Sequence, residues 1–153
     1  AAGPSLEERR QELLCASTPT KEDFPSPIEY NFGPGGNLKV LVLHGAGGNE
    51  KEAEMQYCNV FQHSPMFKNM TATYLEGPIK VSPSWRAEVA GVPLDPDAPT
   101  GYAYFDRIPY VNCQGESWHM IDDSLTLLGK HLKREGPYDG VIGFGMGGEV
   151  LAR

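Results

Sequence analysis

This sequence has little of what holds small stapled scaffolds together and little of what draws a protein to charged surfaces. It contains three cysteines, Cys15, Cys58 and Cys113, widely spaced and odd in number. That is no disulfide framework, and without a Cys-x-x-Cys pair neither zinc nor redox chemistry is suggested. Free thiols of this kind fit a reducing, soluble compartment, the cytoplasm or an organelle interior. Basic residues are scarce: 13 Lys and Arg against 20 Asp and Glu leave a formal charge of −7. Gripping phosphate takes a basic footprint, so this balance argues against a nucleic-acid partner and against docking on anionic lipid. No apolar run approaches the roughly 20 residues of a membrane-spanning helix, so direct insertion is not expected. A signal peptide is missing too, since Ala1-Ala2-Gly3-Pro4 leads straight into a charged stretch. A start without methionine points to a processed or incompletely recorded chain.

What is present fits one domain. The 153 residues can bury a sizeable core, and 40% hydrophobic with 22% charged residues is ordinary for a globular protein. Glycine and proline together supply 31 positions, which predicts many turns and long loops. Ser5-Leu6-Glu7-Glu8 reads as a capping box opening a short helix to about Leu14. Residues 16–37 carry four prolines and three glycines and read as an extended lead-in. Residues 1–36 are therefore an N-terminal helix and lead-in, and the domain proper spans 37–153.

Within it, Leu38-Lys39-Val40-Leu41-Val42-Leu43 is apolar on both faces, the mark of a central parallel strand covered by helices on each side. Asn49 can cap a helix from Glu50 to about Phe61, with Glu52 three residues further on. Met70 to Gly77 reads as a second strand. Residues 78–118 are rich in proline and aromatics without a period and read as a lid-like loop. Its Trp85, Tyr102, Tyr104, Phe105, Tyr110 and Trp118 would either line a pocket or form the loop's own small core. Helical spacing returns at Ile121, Leu125, Leu128 and Leu132, with Gly136 as C-terminal cap. Tyr138 to Phe144 is a third strand that turns into a helix at Gly145-Met146-Gly147-Gly148. Strands alternating with helices predict an α/β fold with a parallel sheet and right-handed crossovers.

Two glycine-rich turns carry the chemistry. Gly143-Phe144-Gly145-Met146-Gly147 sits where a strand feeds a helix, the context of the nucleophile elbow G-x-S-x-G. There the flanking glycines, Gly143 and Gly147, permit a strained turn that lifts a serine above the sheet. The central residue here is Gly145, which has no hydroxyl, and neither Phe144 nor Met146 can replace it as a nucleophile. A tight turn in another α/β fold stays open at this point. No lysine follows as a phosphate-binding P-loop requires, but Gly143, Gly145 and Gly148 formally match a dinucleotide fingerprint. The earlier turn, His44-Gly45-Ala46-Gly47-Gly48-Asn49, is of the His-Gly-x-Gly type that supplies an oxyanion-hole N–H, and favours the elbow. His44 reads as a loop-packing residue, because in this arrangement the base follows the nucleophile. His63, His119 and His131 lack partners at metal-ligand spacing, so no metal or other cofactor is expected. Asp122 and Asp123 read as helix-start charges.

Leu41-Val42-Leu43-His44-Gly45, Tyr74 to Pro78, Asp123-Ser124-Leu125 and above all Gly136-Pro137-Tyr138-Asp139-Gly140-Val141-Ile142-Gly143-Phe144 together resemble the FSH family of small serine hydrolases. The resemblance implies an α/β-hydrolase fold and hydrolysis of esters or thioesters by a Ser–Asp–His triad. It puts Ala46 and Met146 at the oxyanion-hole positions. It also implies that the triad's Asp and His lie beyond position 153, so the chain corresponds to an N-terminal portion with three core strands and flanking helices. Gly145 stands where the family has its serine. The expectation is a catalytically inactive, hydrolase-like module with a structural or protein-interaction role in a larger assembly. A protein partner or a missing C-terminal half would cover the 139–144 strand edge. The alternative is a fragment or mutant of an active hydrolase.

Overall fold

The computed structural model describes residues 3, 5, 8, 28–31, 38–67, 69–109, 116–119 and 121–153. Strand β1 (Ile28–Asn31) is followed by β2 (Leu38–Leu43), helix α1 (Glu50–His63), β3 (Met70–Leu75), β4 (Ile79–Val81) and helix α2 (Pro83–Ala90). Then come β5 (Gly101–Ala103), β6 (Asp106–Pro109), β7 (Glu116–His119), helix α3 (Ile121–Glu135), β8 (Gly140–Gly143) and helix α4 (Met146–Leu151). The main sheet has the order β1-β3-β2-β8. β2 is parallel to both neighbours, pairing Leu43 with Leu75 on one side and with Gly143 on the other. The three parallel strands and the central place of residues 38–43 are as the sequence predicts. The fourth strand is new: 28–31, inside the expected lead-in, pairs antiparallel with β3.

β2 shows why a doubly apolar strand belongs in the middle. Side chains alternate across a strand, so Leu41 and Leu43 fall on one face and Val40 and Val42 on the other. Leu41 and Leu43 pack with Trp85, Tyr104, Phe105, Leu127 and Met146. Val40 and Val42 pack with Ala72, Tyr74 and, from α1, Ala53 and Phe61. Two cores therefore sandwich one sheet.

The helix boundaries follow their chemistry. Asn49 accepts from the Glu52 N–H at 2.8 Å and opens α1, as expected. Ser5 and Glu8 form the reciprocal capping box, with the Ser5 N–H to Glu8 Oε2 at 2.6 Å and the Glu8 N–H to Ser5 Oγ at 3.2 Å. The body of that helix, Cys15, Cys113 and Tyr110 lie outside the described residues, and of Trp118 and His119 only the backbone is described. α3 ends where the Gly136 N–H donates to Leu132 O at 2.9 Å; a Cβ at 136 would come 2.3 Å from that oxygen. The buried stripe of α3 is Ser124, Leu127, Leu128 and His131, so the expected Leu132 faces partly outward. Two polar contacts set that rotation: Ser124 Oγ donates to Tyr104 O, and His131 Nε2 lies 2.7 Å from the Tyr138 hydroxyl. Burial holds the His131 pKa below the ordinary imidazole range.

Residues 78–118 differ from the expected lid-like loop. They contain β4 and β5 paired antiparallel, α2 between them, and the β6–β7 pair. Trp85, Tyr104 and Phe105 are fully buried and belong to the main core, and do not form a core of their own. Strands of three or four residues are too short to display a period, which is why the sequence pattern is silent there.

Candidate active site at the carboxyl ends of the central strands

From β2 the chain crosses through α1 to β3 on one side, and it later returns to β8 on the other. The carboxyl ends of β2 and β8 thus flank the point where strand order reverses, the usual ligand crevice of open parallel sheets. Both glycine-rich turns leave the sheet there, and a cavity of about 460 Å³ opens above them.

At the second turn Gly145 takes φ 52° and ψ −116°, a combination outside the helical and extended wells that glycine tolerates best. Its carbonyl accepts from the Glu149 N–H at 3.0 Å, and the Phe144 N–H donates to Leu43 O at 3.2 Å. The flanking glycines are sterically required. A Cβ at Gly143 would sit 2.5 Å from Gly148 N, and one at Gly147 would sit 2.6 Å from Leu43 O. A Cβ at Gly145 would meet nothing nearer than Gly45 Cα at 4.0 Å. The turn places Gly145, which has no side chain, at its apex.

At the first turn His44 is buried with both ring nitrogens committed. Nε2 accepts from the Gly77 N–H at 2.8 Å, which leaves Nδ1 to carry the proton toward Gly45 O at 2.7 Å. Burial pushes its pKa down to about 4, so the ring is neutral near pH 7. It also lies 4.8 Å, centroid to centroid, from the Tyr104 ring, whose hydroxyl donates to Leu75 O at 2.9 Å. His44 thus ties the ends of β2 and β3 together, consistent with the packing role and not with a free base. Gly45 gives room to Phe144, whose ring a Cβ at 45 would approach to 3.0 Å.

Ala46 and Met146 both line the cavity, together with His44, Gly45 and Gly145. Among the described residues the N–H groups of Ala46 and Met146 find no backbone acceptor. The first turn is closed from within by the Gly48 N–H donating to Gly45 O at 3.1 Å and held from outside by the Tyr102 N–H donating to Gly48 O at 2.8 Å.

The sequence pattern missed the far wall. Val89, Ala90 and Val92 face the cavity, with Arg86 Nη2 3.0 Å from each carboxylate oxygen of Glu52. A signal was there: Ser82 followed by Pro83 is a helix start, and Ser82 Oγ does accept from the Trp85 N–H at 3.1 Å. Among the described residues no three His, Cys, Asp or Glu side chains gather to hold a metal ion, and no helix is long and apolar enough to cross a membrane.

Comparison with curated proteins gives no match, and neither does comparison with solved structures. The family model described as Serine hydrolase (FSH1) matches residues 35–153, which takes in both glycine-rich turns. That span is most of the 153 residues and runs through the whole parallel sheet, and on it the chain belongs to the FSH1 serine hydrolase family.

Proposed function

We propose that this chain is a catalytically inactive serine-hydrolase module whose role is structural or protein-interacting, as a subunit of a larger assembly. The observation that carries the reading is Gly145 at the apex of an otherwise complete elbow turn. Loss of the nucleophile from a triad costs on the order of a million-fold in turnover. The N–H groups of Ala46 and Met146 would be left to hold a carbonyl oxygen that nothing attacks. The interaction role rests on β8, an edge strand of the described sheet, where Val141 is 42% exposed. An unpaired apolar edge is a template for another strand, supplied by a protein partner or by a C-terminal half of the same fold. The test is turnover of short acyl esters by the purified protein, which should not exceed the uncatalysed rate. Hydrolysis that saturates with substrate and scales with protein would reject the reading.

A specific observation favours the alternative, a fragment or mutant of an active esterase or thioesterase. The empty space at Gly145, 4.0 Å from its nearest neighbour, is large enough for a side chain. Under that reading the gene carries a serine codon at position 145 and continues past position 153, and sequencing the gene decides between the two.

A further inference from the structure

We propose that the Glu52–Arg86 ion pair is a gate between two cavities, and that it sets the length of apolar chain the inner cavity accepts. The inner cavity is the one of about 460 Å³ above Gly145; an outer one of about 270 Å³ lies beside it. Glu52, Arg86 and Val92 line both. The ion pair and Val92 therefore lie on the boundary between the two, and of these only the ion pair is held by polar contacts that water can replace. Pro83, Pro93 and Pro99 rim the outer cavity, and their fixed φ angles make that rim stiff.

Arg86 is built to swing at its head and not at its stem. Its Cγ rests on Gly47, where φ is +68° and a Cβ would come within 2.6 Å. Both hydrogen bonds to Glu52 leave from the same Nη2 atom, at 3.0 Å each. That is weaker anchorage than the two-nitrogen fork of a paired guanidinium and carboxylate. The two side chains are 21% and 23% exposed, so water can replace either partner. With the head released, the inner cavity runs on into the outer one while the stem still covers Gly47.

The walls select the ligand. Ala46, Val89, Ala90, Val92, Phe144 and Met146 give the inner cavity an apolar wall, and on its charged side Glu52 and Arg86 neutralise each other. An uncharged molecule with an unbranched apolar chain fits both facts. The gate goes beyond the proposed loss of catalysis and does not depend on it, because the partition stands whether or not chemistry occurs at position 145.

The experiment is calorimetric titration of the full chain with 2-alkanones of increasing length, which are neutral and need no turnover. In the wild type, affinity should rise about fourfold per added methylene and then level off once the inner cavity is full. Arg86→Ala and Glu52→Gln should move that levelling point to longer ketones, while Arg86→Lys, which keeps stem and charge, should leave it in place. Glu52→Gln is nearly isosteric and serves if Arg86→Ala does not fold. No binding of any ketone to the wild type, an unmoved levelling point in the folded variants, or an equal shift in Arg86→Lys would each overturn the gate. A failure here would leave the absence of turnover untouched, and turnover would leave the gate untouched.

Discussion

Gly145 and Gly45 face each other across the carboxyl end of the sheet, with 4.0 Å between the position of a Cβ on the first and the Cα of the second. The gap has the size of an ordinary van der Waals contact. Gly145→Ala should therefore meet no clash but should carry the cost of a positive φ, about 1–3 kcal/mol. Gly143→Ala and Gly147→Ala should cost more, because their Cβ atoms would lie 2.5–2.6 Å from backbone. Urea denaturation of the three variants measures this order, and equal losses would contradict it.

Stability should fall in mild acid through His44. Its folded pKa of about 4 lies below the 6.5 of a free imidazole, so the unfolded chain binds the proton first. The contribution is complete above pH 6.5 and is lost progressively as pH falls toward 4, up to about 3 kcal/mol. Thermal unfolding between pH 4 and 8 follows it, and His44→Phe should flatten the profile in that window. An unchanged slope would place the acid sensitivity elsewhere.

Ser82 holds the start of α2, the helix that brings Arg86 and Val89 to the cavity. Removing its cap with Ser82→Ala should cost about 1 kcal/mol, while Ser82→Asp should cost much less. Chemical denaturation reads both, and a loss shared equally by Asp would mean that the hydroxyl acts in some other way.

How much of this was legible depended on the length of each element. The six residues of β2, apolar on both faces, predicted a central parallel strand, and the Asn49 and Ser5 caps were readable from single side chains. The three-residue β4 and β5 and the eight-residue α2 left no period to read, so a region that supplies Trp85, Tyr104 and Phe105 to the core looked like a loop. At the site, the glycines announced their turns because backbone crowding admits no other residue at Gly143 and Gly147. The Glu52–Arg86 pair spans 34 positions of sequence and left no local trace. Only the fold brings such partners together.

The apolar edge of β8 should draw association. Residues 1–153 expressed alone should self-associate, and Val141→Lys should shift them toward monomer by placing charge on the edge. Size-exclusion chromatography with light scattering measures both. A monodisperse wild-type monomer with a cooperative thermal transition would show that the edge is self-protected and would remove the support for an assembly role.

The proposed loss of the nucleophile is tested most directly by incubating the purified chain with a fluorophosphonate probe and recording its intact mass. With glycine at position 145, the mass should stay unchanged at probe excess. A stoichiometric adduct on any residue would contradict it.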